Sequence, residues 1–224
     1  SRRFEKNNSI FVDQWDWERI ITREERNTEF LKSVVKKIAS CVARTLEIVK
    51  KDFPSVSVNI SDNVTFVTTQ ELEDMYPELS PKERENAFVK EHPTTFLMQI
   101  GGKLKSGIKH DGRAADYDDW SLNGDLLFWN DVLGCAFEIS SMGIRVDEKS
   151  LDEQLKICGN EERRKYKYHS MILNNELPLT IGGGIGQSRM CMLLLGKAHI
   201  GEVQSSYWKP EVVEQCRAAG IHLL

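Results

Sequence analysis

Gly182-Gly183-Gly184-Ile185-Gly186-Gln187-Ser188-Arg189 decides how this chain is read. Glycines stand at alternate positions 182, 184 and 186, and Arg189 follows three residues later. Alternate residues of an extended strand share a face, so one face of this segment is free of side chains. A flat group such as adenine can lie against that bare backbone. The arginine can open the next helix and aim a planar, permanently charged fork at a phosphate. Taken alone, the segment is better served by a glycine-rich turn into the apolar helix 190–195.

The chain has 224 residues, enough for one domain, and 40% of them are hydrophobic, enough for a core. Lys plus Arg number 30 and Asp plus Glu 34, a net charge of −4. That balance argues against an extended nucleic-acid surface, which needs clustered positive charge, and leaves room for a small anion held by a few arginines. The cysteines (Cys41, Cys135, Cys158, Cys191, Cys216) are odd in number and scattered, with no C-x-x-C pair. They read as reduced thiols of a cytoplasmic protein. No apolar run reaches membrane-spanning length, and no signal peptide is visible.

Residues 10–12 form a short strand candidate, with Gln14 and Asp16 just beyond it. Phe30, Val34, Ile38, Val42, Leu46 and Val49 recur at helical spacing and predict a buried stripe on a helix over 28–51. Residues 64–67 read as a strand, followed by a capping box of Thr68 and Glu71. Ser80-Pro81-Lys82-Glu83 is a stronger helix start. Strands are expected at 94–100, 125–129 and 135–144, and helices at 150–158 and 161–174. Gly101, Gly102 and Gly107 mark turns around a Lys-rich hairpin (Lys103, Lys105, Lys109) that is expected to be solvated. Without regular β-α-β alternation, the fold class is α+β with an antiparallel sheet flanked by helices.

Several polar residues can carry chemistry. Glu138 lies inside a strand between Phe137 and Ile139, and an ionised glutamate there is costly unless it faces water or meets a cation. Asp125 opens a neighbouring strand. Two such oxygen ligands suit Mg²⁺, which binds one or two carboxylates plus nucleotide phosphates. Ser140 shares the face of Glu138, and Ser141 points the other way unless a bulge intervenes. Arg145 can hold a carboxylate bidentately or make a surface ion pair. Asp116-Tyr117-Asp118-Asp119 reads as an acidic loop, solvated at Asp116 and Asp119. Gln14 and Asp16 can face one pocket, or sit in water while Trp15 and Trp17 are buried. The five histidines are far apart, without metal-ligand spacing or a nucleophile beside them.

Phe11-Val12-Asp13-Gln14-Trp15-Asp16-Trp17-Glu18, Asp116-Tyr117-Asp118-Asp119-Trp120, Leu122-Asn123-Gly124-Asp125, and Phe137 through Arg145 precede the glycine-rich segment in this order. Together they resemble the ammonia-dependent asparagine synthetases, which are related to class II aminoacyl-tRNA synthetases. The Gly-x-Gly-x-Gly-x-x-Arg segment resembles the third signature of that class. The resemblance implies a class II synthetase-like catalytic core that makes asparagine, AMP and pyrophosphate from aspartate, ATP and ammonia through a β-aspartyl-adenylate. It assigns Gln14, Asp16, Ser141 and Arg145, with Ser140 nearby, to the amino acid. Tyr117, Glu138, Gly182, Gly184, Gly186 and Arg189 fall to ATP, Asp125 and Glu138 to Mg²⁺, and Asp118 and Arg189 to catalysis. It implies a homodimer, with no nucleic acid or membrane partner. No glutaminase-like segment or N-terminal cysteine nucleophile is visible, which favours ammonia over glutamine. A class II tRNA synthetase core and a non-catalytic paralogue acting as a binding module are the alternatives.

Two departures from the family pattern stand out. The chain opens on Ser1-Arg2-Arg3 and lacks a counterpart of the family's N-terminal portion, so it is expected to be a single catalytic domain in partial form, the C-terminal two-thirds. The family also carries a longer polar loop where only Ser121 separates Trp120 from Leu122. Residues missing at this point, within a mobile lid, are the expectation.

Overall fold

The computed structural model describes residues 9–224; the unusual start lies outside them. Six strands, β1 (Gln14–Ile20), β2 (Thr65–Thr68), β3 (Thr94–Met98), β4 (Asp118–Asn130), β5 (Cys135–Arg145) and β6 (Thr180–Gly186), form one sheet in the order β1-β6-β5-β4-β3-β2. Only β2 and β3 pair in parallel; the other neighbours are antiparallel. The expected α+β sheet is therefore present with one parallel edge. A parallel pair needs a crossover, which α2 (Thr69–Met75) and α3 (Pro81–Glu91) supply. Both helices start at the anticipated capping boxes, Thr68 with Glu71 and Ser80 with Glu83.

Strand alternation sorts the core onto two faces. Phe96, Leu126, Phe128, Phe137, Met142 and Ile144 point to one face, against α1 (Thr28–Asp52) and α6 (Gln187–Leu194). Leu97, Leu127 and Ala136 point to the other, under Leu72 of α2 and Phe88 and Val89 of α3. A third cluster joins Trp120 and Val146 to Leu151 and Leu155 of α4 (Glu148–Cys158) and Ile172 of α5 (Lys167–Leu173). Gln154 of α4 bonds Trp120 N at 2.8 Å and Asp118 O at 3.1 Å, fixing the start of β4.

Several boundaries differ from the sequence reading. The seam of α1 is Leu31, Val35, Ala39, Val42 and Leu46; Phe30, Val34 and Ile38 flank it, because the apolar stripe is wider than one row. β1 begins at Gln14 rather than Ile10, since its partners on β6 run only from Gly186 to Thr180. The helix expected over 161–174 breaks at Tyr166, whose backbone is extended (ψ 146°), into a 3-10 turn (Glu161–Lys165) and α5. A last helix, α7 (Pro210–Ala218), opens on a proline at its first position.

The backbone is continuous through Trp120, Ser121 and Leu122 inside β4. Pairing with β5 is uneven there: Asp118 faces Arg145 and Asn123 faces Gly143, so five steps of β4 span two of β5. The short connection is accommodated as an irregularity within the strand. Cys41, Cys158 and Cys191 are free thiols. No helix among the described residues is long and apolar enough to cross a membrane.

Candidate active site

One register row crosses four strands: Asp16 of β1 faces Gly184 of β6, Gly184 faces Ser141 of β5, and Ser141 faces Asp125 of β4. Residues directly opposite share a face of a sheet, so these side chains converge. The next row runs Glu18, Gly182, Gly143, Asn123. The glycine stripe makes room for polar neighbours. A Cβ at Gly184 would stand 2.9 Å from Gln14 Oε1, and one at Gly182 would overlap Glu18 and lie 2.5 Å from Arg145 Nη2. The stem of Arg189, from the first turn of α6, lies over Gly186, 3.3 Å from where a Cβ would be.

A bulge in β5 decides which serine joins the site. Leu126 pairs with Ser140, yet Leu127 pairs with Glu138, leaving Ile139 as an extra residue. Ile139 packs in the α1 core, and Ser140 is buried with Oγ donating to Gly184 O at 2.8 Å. Glu138 and Ser141 therefore share the open face. The pairing of Ser140 with Glu138 expected from plain alternation is overturned, and Ser140 stands behind the site.

At one end, Gln14, Glu138, Ser141, Gly184, Gly186 and Arg189 line a cavity of about 220 Å³. Arg189 Nη1 lies 3.4 Å from Glu138 Oε2 and donates to Glu138 O at 3.2 Å. Asp125 is buried; its Oδ2 accepts from Arg113 Nη2, while Oδ1 is buried without a hydrogen-bond partner among the described residues. Burial, then the nearby Glu138 carboxylate, pushes the Asp125 carboxyl up to about 6 against the pull of Arg113. Two hard carboxylates with an orphaned oxygen fit a divalent ion of the Mg²⁺ type. Among the described residues no group of three or more His, Cys, Asp or Glu can hold a metal, so an ion here needs oxygens from elsewhere, such as phosphates.

At the other end, Arg145 is buried and held by three side chains, with one Nη1 hydrogen left over. Its Nε bonds both Glu18 oxygens at 3.2 Å, Nη2 bonds Glu18 Oε2 at 2.8 Å and Tyr117 OH at 3.0 Å, and Nη1 pairs with Asp118. The guanidinium also stacks 3.9 Å from the Tyr117 ring centre. Burial lifts the Asp118 carboxyl above its ordinary range, opposed by Arg145. Tyr117 thus sits at the Gly182 end, on Arg145, rather than beside the Arg189 cavity. The solvated readings of Asp116 and Asp119 are corrected as well. Asp119 is buried against Arg26 at 2.7 Å, and Asp116 pairs with Arg163 at 2.8 Å and His169 at 2.9 Å.

The sequence reading missed Glu18 and Arg113. Glu18 continues the alternation of Gln14 and Asp16, so its face could have been counted. Arg113 belongs to an irregular segment before β4, where no periodicity announces a direction.

A family model described as aspartate-ammonia ligase matches residues 1–220. The chain is 60% identical over 216 residues to an aspartate–ammonia ligase of Fusobacterium nucleatum, covering 96% of this chain and 66% of that protein. It is 59% identical over 216 residues to one of Clostridium tetani, covering 96% and 63%. The chain thus spans slightly under two-thirds of these relatives. The fold is similar to asparaginyl-tRNA synthetase from Pyrococcus horikoshii complexed with asparaginyl-adenylate, with a TM-score of 0.62, 15% identity, and coverage of 90% of this chain and 48% of that one. The Entamoeba histolytica asparaginyl-tRNA synthetase, also with asparaginyl-adenylate, gives a TM-score of 0.61, 16% identity, and coverage of 88% and 48%. The sheet is that of class II synthetase catalytic cores, and the chain belongs to the aspartate–ammonia ligase family.

Proposed function

We propose that this chain forms the larger part of an ATP-dependent aspartate–ammonia ligase. The side-chain carboxylate of aspartate attacks the α-phosphorus of ATP, and pyrophosphate leaves. Ammonia then attacks the acyl carbon of β-aspartyl-adenylate, giving asparagine and AMP. The observation that carries this reading is the single row Asp16, Gly184, Ser141, Asp125, which brings residues from four strands together on one face of the sheet.

In this scheme Asp16 takes the α-ammonium, Gln14 and Ser141 hydrogen-bond the aspartate, and Arg145 takes its carboxylate from a pre-set position. Asp118 keeps Arg145 ionised and aimed. Gly184 and Gly186 let the nucleotide approach the backbone, and Arg189 holds the α-phosphate as it becomes five-coordinate. Asp125 and Glu138 would hold Mg²⁺, which when bound neutralises phosphate charge. The protein contributes mainly positioning and charge stabilisation. The family resemblance further supports a cytoplasmic homodimer.

AMP formation from ATP and aspartate, with ammonia, without it, and with tRNA instead, tests the reading. Asparagine made in step with AMP only when ammonia is present is the expected result. Aminoacylated tRNA would point to a synthetase, and no AMP in any arm to a binding module.

A further inference from the structure

Asp118 of β4 faces Arg145 of β5, and the pairing then resumes only at Asn123 with Gly143. The backbone ladder leaves the stretch just after Asp118 unfixed, and side chains fix it. Asp119 Oδ1 accepts from Ser121 N at 2.9 Å and from Ser121 Oγ at 2.6 Å. Asp119 Oδ2 pairs with Arg26 Nη2 at 2.7 Å. The same Nη2 lies 3.3 Å from Arg145 O and 3.1 Å from Ser150 Oγ. Arg26 Nε faces Asp147 Oδ2 at 3.2 Å, and Asp147 Oδ1 caps α4 through Lys149 N and Ser150 N. One guanidinium thus ties the start of β4, the end of β5 and the start of α4 together. Its own backbone is steadied by Asn27, the cap of α1.

We infer that Arg26 is a positioning residue for aspartate, which sets Asp118 and Arg145 in their working places without touching the ligand. The inference rests on the aspartate role given above to Arg145 and adds what keeps that arginine in place. Glu18, Tyr117 and Asp118 hold the guanidinium of Arg145; Arg26 holds its backbone carbonyl and the residue after Asp118. The Arg26 side chain is only 11% exposed, so these contacts are largely shielded from water, and charge-assisted bonds are the strong ones. A lysine cannot replace it, because a single ammonium lacks the fork that meets Asp119 and Asp147 through Nη2 and Nε at once. A shift at the start of β4 would move Asp118 and Arg145 relative to Asp16. Gly186 and Arg189, on β6 and α6, would stay where they are. Arg26 therefore acts on aspartate and not on ATP.

The test is steady-state kinetics and aspartate calorimetry on the full-length protein. The variants are Arg26→Lys, Arg26→Met, and Arg26→Met combined with Asp119→Asn. The Met variant is expected to raise the KM for aspartate about 10-fold, the weight of a charge-assisted hydrogen bond, with the KM for ATP unchanged. The Lys variant should show a smaller rise, again confined to aspartate. Arg26→Met also leaves Asp119 buried and uncompensated, so its melting temperature should fall. Adding Asp119→Asn removes that charge, so the melting temperature should recover while the KM for aspartate stays raised. Recovery of both would show that Arg26 only neutralises Asp119, and overturns the inference. An unchanged KM for aspartate in a folded variant, or an equal rise in both KM values, overturns it too. If circular dichroism shows Arg26→Met unfolded, the double variant and Arg26→Lys decide by the same criteria. A wild-type protein that neither makes asparagine nor binds aspartate removes the aspartate reading and this inference with it. One that does both, with variants that match it, removes only the role of Arg26.

Discussion

Asp16 and Gly184 face each other across β1 and β6, and a Cβ added at Gly184 would lie 3.0 Å from Asp16 Oδ1. The crowded atoms are the ends of side chains, which can move. Gly184→Ala should therefore leave the melting temperature near wild type while displacing Gln14 and Asp16, raising the KM for aspartate on the order of 10-fold. Gly183 points to the other face, where a Cβ would lie 2.5 Å from Met142 Cβ and 2.6 Å from Ser141 O. Backbone cannot yield cheaply, so Gly183→Ala should cost about 1–3 kcal/mol of stability. Denaturant unfolding of both variants checks the contrast, and equal stabilities would contradict it.

Arg189→Ala should cripple adenylate formation with the fold retained, because the arginine packs across Gly186 on the open face and not in the core. Loss of one charged contact to the reacting phosphate is expected to cost on the order of 10²-fold or more in rate. Aspartate-dependent exchange of pyrophosphate into ATP reads that step directly. A folded variant exchanging at the wild-type rate would disprove the assignment.

Glu18 holds Arg145 by three hydrogen bonds without belonging to the cavity at the Arg189 end. It acts as a positioning residue. Glu18→Gln should raise the KM for aspartate with kcat little changed, and leave the KM for ATP untouched. Parallel changes in both KM values would indicate general damage to the sheet instead.

Asp118 has a carboxyl raised above its ordinary range, chiefly by burial. An acid that binds its proton more tightly when folded contributes most stability below its unfolded pKa of about 3.9, and that contribution declines as the pH climbs through the folded value. Asp118→Asn removes the decline. The stability of ligand-free wild type relative to the variant should therefore fall as pH rises from about 4. Chemical denaturation of both proteins at several pH values gives the difference, and a difference that grows with pH would refute the buried-acid account.

The α1 helix, the two capping boxes and the central strands were readable because periodicity and caps are local signals. The strip Gly182, Gly184, Gly186 was readable for the same reason, since alternation alone fixes a common face. What escaped depends on partners distant in sequence. Ser141 rather than Ser140 faces the site because β5 carries an extra residue against β4. Asp119 looks like a solvated acid until Arg26, at the approach to α1, covers it. Arg113 has no periodic neighbour to give its direction.

The bulge at Ile139 divides β5 into two half-strands that keep separate phase. Glu138, on one side, answers to β4 for its register; on the other side Ser141 answers to both neighbours and Arg145 to β4. Since the extra residue packs inward, removing it would restore strict alternation with Phe137 inward, Glu138 outward, Ser140 inward and Ser141 outward. Glu138 and Ser141, three residues apart, thereby reach the same face. A change of one residue at the bulge therefore alters the distance between Glu138 and Ser141 along the strand without turning either to the opposite face.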